Sequence, residues 1–134
     1  MAESIRRLRA AGKRVLLLDP VPTYHYPLPA ALATRWRRGD ELASQGQTAA
    51  DYRVRQASSL ALMERLVAGG QAERVGLGEL LCNGPRCEVL EGDASLYFDD
   101  NHLSMTGAAK VAPAVLRLLE RNPTSIAPEH NLGR

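Results

Sequence analysis

Apolar residues recur along this chain at two different rhythms. Ile5 and Leu8 share one face of a charged stretch, which predicts a short helix over 3–11 stopped by Gly12. Val15, Leu16, Leu17 and Leu18 then form a continuous apolar run reaching Asp19 and Pro20. Such a run predicts a strand buried on both faces of a parallel sheet. Pro20, Pro22, Pro27 and Pro29 exclude regular structure from the next ten positions. In α/β proteins, loops leaving the carboxyl ends of strands build sites, so this loop is a candidate cleft wall. His25, between Tyr24 and Tyr26, is either a substrate contact or a half-buried loop residue.

Leu28, Leu32 and Trp36 fall at four-residue spacing and predict a helix over 29–38. Residues 39–48 read as a polar connector. Residues 49–68 carry Tyr52, Gln56, Leu60, Met63 and Val67 on one stripe, read as core packing, and Gly69-Gly70 ends that helix. Arg74 to Leu77 is a short strand candidate. Glu88-Val89-Leu90 and Leu96-Tyr97-Phe98 are short extended pieces around a turn at Glu91-Gly92-Asp93. Ser104 or Thr106 caps a final helix over 105–121. Its inward face is expected at Ala108, Val111, Val115 and Leu118/Leu119, with a kink or break at Pro113. Residues 122–134 show no periodicity and read as a disordered tail, His130 included.

Length and composition narrow the class. A chain of 134 residues is one domain, and 45% hydrophobic with 24% charged residues is ordinary for a globular protein. No apolar run is long enough to span a membrane, and no apolar signal-peptide core opens the chain. Arg6, Arg7, Arg9, Lys13 and Arg14, then Arg35, Arg37 and Arg38, cluster along two helices. A net charge of +2 without interleaved stacking aromatics makes these solvated faces and argues against a nucleic-acid partner. Cys82 and Cys87 are either a small disulfide loop turned by Gly84-Pro85 or two free thiols.

The chemistry concentrates in Leu96-Tyr97-Phe98-Asp99-Asp100-Asn101-His102-Leu103-Ser104. A catalytic histidine must take a proton from a nucleophile, keep one tautomer and be stabilised when charged. A carboxylate on its other ring nitrogen supplies the last two needs. Asp99 and His102, three apart at a turn entering a helix, meet that requirement within one turn of chain. Two other readings of the same residues are a helix-start charge cluster and a metal site using Asp99, Asp100 and His102.

This block, followed by Thr106-Gly107-Ala108 and an apolar helix, resembles the last block of the SGNH hydrolase superfamily. The likeness is closest to SGNH domains at the end of acyltransferase-3-type membrane proteins that O-acetylate surface polysaccharide. Leu16 to Pro22, Tyr52-Arg53 and the cysteine loop are similar too, and the likeness spans about residues 4–118. The resemblance implies a three-layer α/β/α, flavodoxin-like fold with a parallel sheet, N-terminally truncated, over residues 1–121. It implies Asp99 as triad acid and His102 as triad base, with no cofactor. The family's serine lies in a Gly-Asp-Ser block that this sequence lacks. Gly92-Asp93-Ala94-Ser95 is one residue too long and too near His102, so Ser95 is not the nucleophile.

The expected partners are therefore the missing N-terminal half of the domain, a membrane acyltransferase module, an acyl donor and a sugar acceptor. The expected location is periplasmic or otherwise extracytoplasmic, where a Cys82–Cys87 disulfide is favoured. The alternative is an inactive SGNH remnant or a carbohydrate-binding module.

Overall fold

The computed structural model describes residues 2–121; the expected tail at 122–134 lies outside them. Helix α1 (Ala2–Ala10) leads to strand β1 (Leu16–Leu18) and helix α2 (Leu28–Arg38). A 3-10 turn at Ala43–Gln45 precedes α3 (Ala49–Arg55) and α4 (Ala57–Ala68). Strand β2 (Glu73–Val75) and the short helix α5 (Leu77–Leu81) follow. A hairpin of β3 (Leu90–Glu91) and β4 (Ala94–Ser95) then leads to α6 (Met105–Glu120).

Strands β1 and β2 pair in parallel with Leu17 opposite Arg74, which requires the long crossover through α2, α3 and α4. Among the described residues this sheet has only two strands, so each strand keeps an unpaired edge. That corrects the expectation of a strand buried on both faces: Leu16 and Leu17 are half-buried and Leu18 is exposed. Asp19, just past β1, is instead buried, and Arg74 grips it through Nε at 2.5 Å and Nη2 at 2.8 Å. A bidentate guanidinium satisfies both carboxylate oxygens, as a buried charge requires.

The remaining departures have local causes. The expected long helix breaks at Gln56, which ends α3 and starts α4; Tyr52 is buried and Gln56, Leu60 and Met63 half-buried on the expected stripe, but Leu66 takes the buried place at its end and Val67 is exposed. Leu8 is exposed because only Ile5 meets Val15 and Leu66 beneath α1. Leu77 opens α5 rather than ending a strand. Helix α6 runs on through Pro113 without a break, and Pro113 sits on its exposed side. Val111 is buried, Val115 and Leu118 are half-buried, and Ala108 and Leu119 face out. Arg14 bonds Glu73 and the Leu118 carbonyl, tying the end of α6 to β2.

The main core gathers Leu28, Leu81, Val89, Leu96 and Tyr97, all essentially without exposure. Each such side chain contributes roughly 1.5–3 kcal/mol of transfer free energy. Cys82 and Cys87 are joined by a disulfide. The loop it closes docks on residues 46–49 through Cys87 N–H to Gln47 and Ala49 N–H to Pro85.

Helix α6 starts pressed against the chain before it. A Cβ at Gly107 would lie 2.1 Å from the Leu96 carbonyl oxygen, so only glycine allows this approach. Gly107→Ala is expected to cost about 1–3 kcal/mol by overpacking and to lower the melting temperature by roughly 5 °C or more. Ala109→Ser, on the exposed face, should change stability by less than about 0.5 kcal/mol. Thermal denaturation of both variants checks the difference.

Candidate active site

The loop from Leu96 to Ser104 is built by its own backbone. Leu96 N–H bonds Val89, which extends the hairpin into the loop. Tyr97 and Leu103 form an antiparallel bridge, Phe98 N–H donates to the His102 carbonyl at 2.8 Å, and Ser104 N–H donates to Leu96 at 2.9 Å. Ser104 is the cap of α6: its Oγ accepts from Gly107 N–H at 3.1 Å and donates to the Ser95 carbonyl at 2.6 Å. A satisfied helix start thus fixes the end of the loop.

Asp99 and His102 meet inside it. One carboxylate oxygen, Oδ1, accepts from Asn101 N–H at 2.9 Å and from His102 N–H at 2.7 Å. The other, Oδ2, lies 2.8 Å from His102 Nδ1. An acidic residue that bonds backbone two and three positions on is a turn device in its own right. Here the same carboxylate also orients the ring. The Asn101 N–H first, then the His102 ring and the His102 N–H, pull the Asp99 carboxyl down to about 2. Ionised, Asp99 is acceptor-only, so Nδ1 is the ring nitrogen that donates to it and Nε2 lies on the open edge of the ring. The His102 side chain is 74% exposed, and no hydroxyl among the described residues bonds its ring.

The other expected residues fall as follows. Ser95 Oγ is taken up by Tyr97, donating to its carbonyl at 2.9 Å and accepting from its N–H at 3.2 Å. Asp100 offers its backbone carbonyl to Tyr24 N–H at 2.8 Å. Among the described residues no three His, Cys, Asp or Glu side chains group as metal ligands, Asp99, Asp100 and His102 included. His25 is exposed rather than half-buried, and Arg55 Nη1 donates to its Nε2 at 2.8 Å. Arg6 and Arg7 pair with Glu3, and Arg35 pairs with Asp40, so the basic helix faces are partly compensated.

Some features of the site were not expected. The proline loop is bolted to the Asp99 loop by Tyr24, whose ring meets Tyr97 edge-on with centroids 5.3 Å apart. Burial raises both phenols, Tyr24 to about 12, so both stay neutral and structural. Tyr52 binds the Pro20 carbonyl at 2.9 Å and fills the space left by Gly78. Its phenol is pushed up to about 12 by burial and then by the nearby Asp19 charge. The tyrosines flanking prolines were visible in the sequence, but their partners lie far along the chain.

Because Asp99 is held below its ordinary value, its bonds add stability that is fully present above pH about 4. That stability is lost as pH falls toward 2. Carbon-detected titration should place the Asp99 midpoint near 2 and, in His102→Ala, closer to the ordinary carboxylate value. An ordinary midpoint in the unaltered chain would show that these bonds do not form.

One family model, described as the SGNH domain fused to AT3 domains, matches residues 1–117. No curated protein and no solved structure matches the chain.

Proposed function

Since this chain belongs to the family of SGNH domains fused to AT3 domains, we propose that it is the acid–base portion of an O-acyltransferase or esterase. Membership supports chemistry of the hydrolase and acyltransferase type. The finer reading assigns His102 as general base and acid and Asp99 as the residue that orients it. The observation that carries it is the Asp99–His102 bond at 2.8 Å, with the far edge of the ring open.

In this reading a serine supplied by the upstream half of the domain attacks an acyl carbonyl. Its proton passes to His102 Nε2 as the new ester bond forms, and the same proton then goes to the departing alkoxide. A sugar hydroxyl or water next gives its proton to His102 and takes the acyl group, and His102 returns that proton to the departing serine oxygen. Asp99 stays ionised throughout and stabilises the imidazolium. The group handled is an acyl (acetyl) group of cell-surface polysaccharide. No metal or organic cofactor takes part.

Two features support an incomplete domain. The sequence has no Gly-Asp-Ser block, and the β1–β2 pair leaves strand edges open. Unpaired parallel edges invite further strands, and the upstream half would supply them along with the nucleophile and the oxyanion donors. The SGNH unit is assigned to residues 1–121. No helix among the described residues is long and apolar enough to cross a membrane. A neighbouring AT3 module would hold the domain at the extracytoplasmic face, an oxidising setting that suits the Cys82–Cys87 disulfide.

The test joins the upstream half to this chain and assays a small acyl ester. Esterase activity is expected. His102→Ala should abolish it, and Asp99→Asn should lower kcat by roughly 10³–10⁴-fold. Activity indifferent to His102→Ala would overturn the assignment.

A further inference from the structure

Trp36 breaks the pattern of its own helix. Leu28 and Leu32 are buried, while Trp36, the third residue of the same stripe, is 72% exposed. It lines a groove of about 490 Å³ between α2 and the β3–β4 hairpin. Leu32, Leu42 and Leu90 make the groove apolar, and Asp93 and Ser95 give it a polar edge. Ser95 Oγ is already bonded to the Tyr97 backbone. The Asp93 carboxylate, on the exposed hairpin turn, has no side-chain partner among the described residues.

Both walls of the groove run into the Asp99–His102 loop. The hairpin wall continues from Ser95 directly into Leu96, and Ser95 is tied to the α6 cap through Ser104. The helix wall follows the proline loop, which is fastened by Tyr24 to Asp100. The groove and the histidine are thus carried on the same two segments.

We propose that this groove binds a pyranose ring of a glycan. A pyranose has an apolar C–H face and a rim of hydroxyls. An exposed indole offers a flat apolar surface for the first, and a free carboxylate accepts from the second. A groove of this volume lies in the range of small-ligand sites and suits one or two sugar units. The proposal rests on the acyl-transfer reading only for the sugar's role as acceptor; binding itself needs no turnover.

Trp36 is the single tryptophan of the chain, so its emission reports this groove alone. The full chain is titrated with cellohexaose, chitohexaose and, as an open-chain polyol control, sorbitol. The expected result is a saturable blue shift and protection from acrylamide with at least one hexasaccharide, and none with sorbitol. Saturation-transfer NMR of the sugar protons should show contact that Trp36→Ala abolishes and Asp93→Asn weakens about tenfold. Circular dichroism confirms that both variants are folded. His102→Ala should bind unchanged, so a failure of the catalytic reading leaves this one standing. No response to either hexasaccharide, an equal response to sorbitol, or binding indifferent to Trp36→Ala overturns the proposal. Concentration-dependent shielding of Trp36 without sugar would show a second copy in the groove and overturn it too.

Discussion

The Leu96 carbonyl accepts from Ser104 N–H while the bare α-carbon of Gly107 lies against it, and the geometry of the site depends on that contact. It closes the segment between the hairpin and α6 into a loop of fixed span. Ser104 can then cap α6 and reach back to Ser95 at once. With both ends pinned, Asp99 and His102 need only a local turn to meet. A side chain at position 107 would push the helix start away and loosen both pins.

Hydrophobic anchoring and polar bonding divide the work. Leu96 and Tyr97 are buried and hold the base of the loop in the core, while Phe98, Asn101 and His102 stand in solvent. Tyr24 joins the proline loop to the same base through a ring contact and a backbone bond to Asp100. Asp99 splits its two oxygens between backbone and imidazole, so the group that orients the ring also shapes its loop. The bonds between Asp99 and His102 are made within four residues of chain, while Tyr24 steadies the loop from a distant segment.

That locality explains what could be read from the sequence. Asp99-x-x-His102, the Ser104 cap and the turn before Ala94 are short-range patterns, and the geometry agrees with each of them. The bond between Asp99 and the ring needs only three residues of separation. Longer-range features were not legible. The break between α3 and α4 at Gln56 has no Gly or Pro to mark it. Leu18 reads as core because a parallel strand is normally covered on both faces, but the two-stranded sheet leaves it in solvent. Trp36 shares the four-residue spacing of Leu28 and Leu32, which predicts the helix but not that Trp36 stands in solvent. Pro113 was expected to kink or break α6; the helix runs on through it, with Pro113 on the solvent side.

Asp99 is expected to hold His102 with Nδ1 protonated and Nε2 open to accept a proton. A free imidazole favours the opposite tautomer, so the claim is a statement about this loop and not about histidine in general. Nitrogen-15 spectroscopy of the chain at neutral pH reads the two ring nitrogens of His102 directly. The account predicts a protonated Nδ1 and an unprotonated Nε2, reverting to the free-imidazole pattern in Asp99→Asn. A protonated Nε2 with a bare Nδ1 in the unaltered chain would contradict it.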